Sequence, residues 1–433
     1  MEFNSKFIRF TIYLSKKYMY IQRIIHPEIR NHLLRKEYTI ISGPRQSGKT
    51  SLLQAIYREL EEEGHEVRYL TLEDTDILSA INTHPEEVFS FCPRPRKSLD
   101  KDHAPVQPVF LFIDEVQHAS DPSNFLKYLF DTYGKNLKIV ATGSSAFYID
   151  QKFNDSLAGR KRIFELKTLS FGEWLLFKNL GHIQDEVSAI RKQDQYISTS
   201  HREILSLFNE YLIFGGYPEV VLESKNEEKI LLLKELRDSF LKKDIDEAGI
   251  STPEKFYALF SILAGQTGNL VNKHELAATI GVDNKTVDKY LHVLQKSFLI
   301  ELVKPFYSNL RKELTKMPKV YFKDTGMRNM AINRFFDWKD REDKGVLLEN
   351  FVHRRLTEHY DRENIKYWRT VDRKEIDFVI STSYKSGFSY EVKTSGRKSK
   401  QAIKSRFTEL YPDYPLDIIS YEPGNDCKWV IQI

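Results

Sequence analysis

The stretch that decides the fold runs from residue 38 to residue 50 and reads YTIISGPRQSGKT. An apolar run of strand character leads into segment 43–50, which fits the pattern G-x-x-x-x-G-K-[ST] of a phosphate-binding loop between a strand and a helix. Residues 51–63 supply the helix, because their apolar side chains recur at helical spacing up to Gly64. The sequence therefore predicts a P-loop.

The loop composition indicates a site for ATP with Mg²⁺. Backbone N–H groups and the start of the helix can cradle phosphates. Lys49 is expected to reach the β- and γ-phosphates and to take part in catalysis, and the Thr50 hydroxyl is expected to join the magnesium shell. The expected nucleotide contacts are Gly43, Pro44, Arg45, Gln46, Ser47, Gly48, Lys49, Thr50 and Ser51.

A second motif, VFLFIDEVQ at 109–117, is an apolar strand that ends in two carboxylates. Asp114 is expected to hold Mg²⁺ with ATP, and Glu115 is the expected base that polarises the attacking water. The next strand ends in ATGSS, where Thr142 and Ser144 are expected to sense the γ-phosphate if this strand lies between the other two. A simple strand-end turn is the alternative for these two residues.

Short apolar runs alternate with helical patterns in residues 37–145, which predicts an α/β domain with a parallel sheet. The proline-rich segment 91–108 is expected to be an exposed loop. Residues 165–250 are predicted to be mostly helical, and residues 310–345 to be irregular. Strands are predicted at Tyr38–Ile41, Val67–Leu72, Val109–Ile113, Leu137–Ala141, Glu375–Ile380, Phe388–Val392 and Leu416–Ser420.

Residues 270–304 carry the pattern of a helix-turn-helix followed by a strand. Helix His274–Ile280 is followed by a turn at Gly281, and Asp283 or Asn284 can cap the second helix. The pattern predicts a winged helix. Its exposed residues Lys285, Thr286 and Lys289 are placed to contact DNA, although a purely structural or protein-binding role is equally open.

The carboxyl-terminal part combines an acidic helix residue, Glu349, with Asp377 and with Glu391-Val392-Lys393. Strand periodicity places Glu391 and Lys393 on one face. This order resembles the restriction-endonuclease-like PD-(D/E)xK nucleases. The resemblance implies that Asp377 and Glu391 bind a second metal ion with Glu349 and Lys393 nearby. A solvated strand face or an inert relic is the alternative.

Four segments together resemble a prokaryotic family that joins an AAA-type P-loop ATPase to a carboxyl-terminal domain of unknown function: GPRQSGKTSLL, LFIDEVQ, ATGSSAF and SLAGR. The resemblance covers Tyr20 to the carboxyl terminus. It implies that Arg160 of SLAGR acts as an arginine finger, with a surface arginine as the alternative. A finger that works across a subunit boundary requires an oligomer.

The bulk composition fits several soluble domains. The chain has 433 residues, 41% of them hydrophobic, and 65 basic against 61 acidic side chains, a balance that neither requires nor excludes nucleic acid. Two cysteines far apart and no apolar run of membrane length favour a cytoplasmic protein without a membrane partner. The expected division is a basic leader 1–18, with Met19 as an alternative start, an ATPase core 19–170, a helical and winged-helix region 171–310, and a restriction-endonuclease-like α/β domain 311–433.

These features favour Mg²⁺-dependent ATP hydrolysis that drives conformational change near nucleic acid. The alternatives are a slow nucleotide-controlled switch or interaction module, and an ATPase with an added metal-dependent DNA-cleaving domain. The expected partners are ATP, DNA, and a second copy of the chain or another protein.

Overall fold

The chain divides into two compact units, Met1–Lys167 and Thr168–Ile433. The computed structural model describes residues 13–15, 18–97, 107–143, 157–193, 198–307, 313, 316–370, 372–395, 401–424 and 427–433. Most of the predicted leader 1–18, part of the predicted loop 91–108, and Ser144 lie outside the described residues.

Among the described residues, the first unit contains a sheet of five parallel strands in the order β4-β5-β6-β3-β7. Its strands are β3 Tyr38–Ser42, β4 Val67–Thr71, β5 Val109–Asp114, β6 Leu137–Gly143 and β7 Lys161–Glu165. Its helices are α1 His26–His32, α2 Lys49–Glu62, α3 Thr75–Thr83 and α4 Pro122–Tyr133. The strands β1 Tyr13–Ser15 and β2 Tyr18–Tyr20 form a separate antiparallel pair.

The sheet is apolar on both faces because helices cover both of them. Ile41 packs in one cluster with Leu52 and Ile56 of α2, whereas its neighbour Ile40 packs in another with Leu126 of α4. Successive side chains of a strand point to opposite faces. Burial on both sides explains the nearly continuous apolar runs that the sequence shows in these strands.

The second unit begins with helices and a small antiparallel hairpin. Its helices up to residue 296 are α5 Phe171–Phe177, α6 Gly181–Lys192, α7 His201–Phe214, α8 Pro218–Leu222, α9 Asn226–Glu247, α10 Pro253–Gly265, α11 Lys273–Ile280 and α12 Asn284–Lys296. The hairpin pairs β8 (Ile300–Val303) with β9 (Lys319–Phe322), and an isolated bridge joins Leu270 to Lys319.

The remainder of the second unit is an α/β layer with a mixed sheet in the order β10-β11-β12-β13-β14. The first two pairings are antiparallel and the last two are parallel. The strands are β10 Ile365–Arg369, β11 Glu375–Ser383, β12 Ser386–Lys393, β13 Leu416–Ser420 and β14 Lys428–Trp429, and the helices are α13 Thr325–Ala331, α14 Lys344–Leu356 and α15 Gln401–Leu410.

The predicted fold class is confirmed, with a parallel P-loop sheet, a helical middle and a carboxyl-terminal α/β sheet. The prediction of an irregular segment 310–345 is wrong, because this segment contains β9 and α13. The β8–β9 pair also crosses the expected boundary near residue 310. The division of the second unit into two domains stays a prediction.

Candidate functional site

The phosphate loop connects β3 to α2, as the sequence predicts. Gly43 has a φ of +155°, and a Cβ there would lie 2.2 Å from the carbonyl oxygen of Leu166, so only glycine fits this close approach. Gly48 has a φ of +94° and precedes the first residue of α2. The free N–H groups at the start of α2 therefore open onto the loop, where an anion is favoured.

Lys49 lies inside the loop and is 5% exposed. Its Nζ donates to the carbonyl oxygens of Gly43 at 3.2 Å and Pro44 at 2.9 Å. Burial lowers the pKa of Lys49 to about 8, although the Glu115 carboxylate opposes this shift. A buried ammonium whose hydrogen-bond acceptors are neutral carbonyl oxygens can bind a negatively charged phosphate oxygen strongly.

The carboxylate of Asp114 joins the loop to the acidic strand. The Thr50 hydroxyl donates to its Oδ2 at 2.8 Å, and the Tyr69 hydroxyl donates to the same oxygen at 3.0 Å. The hydroxyl of Thr142 donates to the other oxygen, Oδ1. Thr50 and Asp114 thus place two hard oxygen ligands side by side, which is the kind of pair that Mg²⁺ uses with nucleotide phosphates.

Thr142 reaches this site because β6 lies between β3 and β5, as its predicted role requires. Its hydroxyl also accepts a hydrogen bond from the backbone N–H of Glu115 at 2.9 Å. Glu115 follows β5 with a φ of +56°, a left-handed conformation that costs free energy in a residue other than glycine. Its Oε2 accepts a hydrogen bond from the side chain of Gln117.

Arg160 lies at the opposite end of the sheet from the loop. Its carbonyl oxygen accepts from the N–H of Tyr38, the first residue of β3, and its guanidinium bonds to Asp131 at 2.7 Å. The five residues of β3 span about 16 Å, which is longer than an arginine side chain. Arg160 therefore does not reach the phosphate loop of its own chain.

Arg23 is a site residue that the sequence reasoning missed. The residue is 4% exposed, and its guanidinium donates to the carbonyl oxygens of Ser47 and Lys167, both at 2.7 Å. It therefore fixes the loop to the segment after β7. Tyr69 and Gln117 were missed as well. The partners of Arg23 and Tyr69 are distant in sequence, so no local motif indicates them. Gln117 lies only two residues from its partner Glu115, within the second motif, but the motif assigns no role to it.

The predicted helix-turn-helix corresponds to α11 and α12, with Asp283 capping α12 through the N–H of Thr286. Lys285 and Lys289 are both exposed at the start of α12. Lys289 already donates to the carbonyl oxygen of Gly249 at 3.1 Å. Lys285 is therefore the better of the two for a phosphate contact, and a role in DNA binding stays a prediction.

In the carboxyl-terminal sheet, Asp377 and Glu391 lie on the same face. The register pairs Phe378 with Tyr390, so their neighbours Asp377 and Glu391 stand opposite each other. Asp377 Oδ2 accepts from the N–H of Val392 at 2.8 Å. Glu391 Oε1 pairs with Lys393 at 2.6 Å, while the buried Oε2 has no hydrogen-bond partner among the described residues.

The predicted second metal site nevertheless does not fit the arrangement of these donors. Glu349 and Asp377 face Lys319, with Nζ–O distances of 3.1 and 4.0 Å, whereas Glu391 faces Lys393. Burial, followed by repulsion from Glu349, raises the pKa of Asp377 to about 7, and Lys319 opposes this shift. Within the described part of the chain, no group of three or more His, Cys, Asp or Glu side chains is arranged to hold a metal ion.

Three segments match known family models. Residues 35–175 match an AAA domain, residues 205–337 a domain of unknown function (DUF8612), and residues 344–426 a domain of unknown function (DUF4143). The AAA match covers both ATP motifs and supports nucleotide binding by the first unit. None of the described helices combines the length and apolar character needed to cross a membrane.

Three similar proteins carry the description of an uncharacterized protein. A protein of Methanocaldococcus jannaschii is 26% identical over 369 residues, which is 83% of this chain and 75% of the relative. A protein of Haemophilus influenzae is 26% identical over 349 residues, 78% of each chain. A protein of Mycobacterium tuberculosis is 23% identical over 386 residues, 88% of this chain and 76% of the relative.

Similar solved structures include AMPPCP-bound DnaA from Aquifex aeolicus, at a TM-score of 0.28 and 16% identity over 63% of this chain and 87% of that chain. A STAND protein with a tetratricopeptide repeat sensor from Pyrococcus horikoshii has a TM-score of 0.27 and 13% identity over 79% of this chain and 46% of that chain. Scores this low do not define a fold. The strand order and register of the sheets define it here.

Proposed function

We propose that the chain is a Mg²⁺-dependent ATPase whose hydrolysis of ATP drives a conformational change. The observation that carries this proposal is the Asp114 carboxylate, which accepts from Thr50 at 2.8 Å on one oxygen and from Thr142 on the other. One side chain thereby ties the acidic strand to the first turn of α2 and to the neighbouring strand. A phosphate on the loop would meet Lys49 and these oxygens together.

Thr50 and Asp114 are the residues that would hold Mg²⁺. One hydroxyl and one carboxylate would leave the other coordination positions of the ion to phosphate oxygens and water. When bound, Mg²⁺ supplies positive charge to the phosphate oxygens of ATP. Lys49 donates to the same phosphate group, and the N–H groups of the loop orient it. Arg23 keeps the loop in place through its bond to the Ser47 carbonyl.

Glu115 is the proposed base, which accepts a proton from the attacking water at its carboxylate. The hydrogen bond from its N–H to Thr142 and its left-handed backbone hold the residue at the end of β5. Its pairing with Gln117 occupies one carboxylate oxygen. Because Gln117 must release this oxygen before both are available, the same contact favours the second candidate function, a switch that turns over ATP slowly.

Turnover by the purified full chain, measured with Mg²⁺ and with or without DNA, tests the proposal. Lys49→Ala should abolish hydrolysis and weaken ATP binding while the protein stays folded. Lys36→Ala removes an exposed lysine outside the loop and should change neither. Hydrolysis that persists in folded Lys49→Ala protein would refute the assignment. Tight ATP binding with very slow turnover under both DNA conditions would support the switch.

The proposed partners follow from two basic residues. DNA is supported by Lys285 at the start of α12. A second copy of the chain is supported by Arg160, which cannot serve its own loop and would act as a finger only on a neighbour. DNA cleavage by the second unit is the weaker alternative, because Lys319 already faces Glu349 and Asp377. The free thiols of Cys92 and Cys427 support a location in the cytoplasm.

A further inference from the structure

Lys319 is the first residue of β9, and only 2% of its side chain is exposed. Its Nζ lies 3.1 Å from Glu349 Oε1 and 4.0 Å from Asp377 Oδ1, and it also contacts the carboxylate of Glu375. Helix α14 and strand β11 therefore direct three carboxylates at one ammonium. We call Lys319, Glu349, Glu375 and Asp377 the lysine pocket.

The walls of the lysine pocket hold these groups in place. The Tyr321 hydroxyl donates to Glu349 Oε1 at 2.6 Å, and the ring of Tyr367 lies 5.5 Å from Lys319 Nζ. Arg369 donates to Glu375 at 3.0 Å, so this carboxylate has two cationic partners. A Cβ on Gly268 would lie 3.3 Å from Glu349 Oε2, which shows how closely the backbone covers that oxygen.

Electrostatics determines which cation the pocket can hold. Buried carboxylates need a partner of opposite charge, and either a lysine or a metal ion can fill that role. In this pocket the partner is the Lys319 ammonium, which lies against all three carboxylates. A divalent ion on Glu349 and Asp377 would lie beside this charge and be repelled.

We infer that Lys319 is the permanent cation of the lysine pocket and that it takes the place of a divalent metal ion there. The side chain places one positive charge beside both Glu349 and Asp377 without any ligand from solution. Glu391 stays outside the pocket because its Oε1 is paired with Lys393 at 2.6 Å. The second unit then has no metal-dependent chemistry at the lysine pocket. Its role is to bind a partner or to transmit conformational change.

Titration of the nucleotide-free full chain with MnCl₂, followed by electron paramagnetic resonance, tests the inference. Wild-type protein should show no Mn²⁺ binding that depends on Asp377. Lys319→Met should gain about one bound Mn²⁺ per chain, because Glu349 and Asp377 lose the cation that faces them and their carboxylate oxygens suit Mn²⁺. Adding Asp377→Asn should remove this gain. Lys366→Met, which breaks the pair with Glu313 at 2.6 Å, is the matched control and should gain none.

Two results would overturn the inference. One is Mn²⁺ binding to wild-type protein that Asp377→Asn abolishes, and the other is folded Lys319→Met protein that gains no Mn²⁺. If Lys319→Met does not fold, the comparison of wild-type protein with Asp377→Asn still decides. Binding that depends on Asp377 refutes a permanent lysine cation, and its absence supports one.

Discussion

The side-chain hydroxyl of Thr142 lies 2.9 Å from the backbone nitrogen of Glu115 and accepts its hydrogen bond. The same hydroxyl donates to Asp114, so one buried threonine fixes both acidic residues at the end of β5. This arrangement exists because β6 lies between the loop strand and the acidic strand. Thr142 therefore links the proposed metal ligand to the proposed base.

Replacing Thr142 with valine should impair both turnover and stability. Valine keeps the shape but leaves a buried N–H without an acceptor, which costs about 1–3 kcal/mol. We expect ATP hydrolysis to fall about 10-fold or more, because Asp114 and Glu115 lose a common anchor. Thr142→Ser keeps the hydroxyl and should retain most activity. Equal turnover of the valine and serine variants would show that the hydroxyl does not matter.

Glu115→Gln should separate binding from chemistry. The amide keeps the size of the side chain but cannot accept the proton of the attacking water. ATP should still bind, because Lys49 and the loop are unchanged, while turnover falls about 10²-fold or more. Nucleotide titration and phosphate release on the same preparation measure the two effects. A variant that no longer binds ATP would mean that Glu115 has been given the wrong role.

The loop and the acidic strand could be predicted from sequence because each is one continuous segment. Strand, loop and helix follow one another in residues 38–62, so local patterns suffice. Thr142 could be predicted only conditionally, since its position depends on strand order. Arg23 could not be predicted, because its partners are the carbonyl oxygens of distant residues. Every residue has such an oxygen, so the residue types do not indicate which one accepts the hydrogen bond.

The carboxyl-terminal carboxylates show a different limit of sequence reasoning. Period-two spacing predicted only that Glu391 and Lys393 share a face, whereas the strand register of the structure places Asp377 opposite Glu391. The charge opposite Asp377 comes from Lys319, which lies in a segment that was expected to be irregular. Strand β9 is only four residues long and gives too short a pattern to be recognised. The sequence therefore indicated the acids but not their cation.

Arg160→Ala should bind ATP normally and hydrolyse it poorly if Arg160 acts on a neighbouring copy. An arginine finger stabilises charge on the transferring phosphoryl group, and its loss costs about 10³-fold or more. The pair with Asp131 is partly exposed and contributes about 0–1 kcal/mol, so folding should be retained. Mixing with Lys49→Ala subunits should partly restore turnover. The Arg160→Ala subunit keeps an intact phosphate loop, and the Lys49→Ala subunit supplies the arginine.

Arg162→Ala is the control for this experiment, since Arg162 is exposed and pairs only loosely with Glu28 at 3.6 Å. It should leave turnover unchanged. Sedimentation at the assay concentration establishes whether copies associate. A strictly monomeric Arg160→Ala protein with full activity would exclude the finger.

His32 should make the first unit sensitive to acid. Burial, with repulsion from Lys138 and Arg162, lowers the pKa of His32 to about 4. A folded-state pKa below the unfolded value of about 6.5 gives stability that is present above pH 6.5 and is lost as the pH falls through 4. Between pH 7 and pH 5, wild-type protein should lose up to about 2 kcal/mol more than His32→Asn, which has no titrating group.

Unfolding of both proteins by denaturant at several pH values measures this difference. Asparagine can still hydrogen-bond to Thr39, whose hydroxyl lies 2.8 Å from His32 Nδ1. The other titrating groups are common to both proteins, so their contribution cancels in the comparison. If the free energy of unfolding depends on pH in the same way in both proteins, the pKa of His32 is the same in the folded and the unfolded state, and the prediction is wrong.

Lys285→Ala should weaken DNA binding if α12 contacts phosphates. Lys285 is exposed at the start of the helix, where a side chain can approach the backbone of a duplex. Each lost phosphate contact should reduce the slope of log K against log salt by about 1. Lys289→Ala should give a mixed effect, because Lys289 also donates to the Gly249 carbonyl at 3.1 Å and its loss loosens that contact.

The control is Lys225→Ala, which removes an exposed lysine from the segment before α9, outside α11 and α12, and should leave the salt slope unchanged. Fluorescence anisotropy with single- and double-stranded DNA, at several salt concentrations, separates a specific contact from general charge. If Lys285→Ala and Lys225→Ala reduce affinity equally, binding reflects net charge and not α12. If wild-type protein binds no nucleic acid at low salt, α11 and α12 form a protein-facing or structural module, and ATP turnover must act on a protein partner.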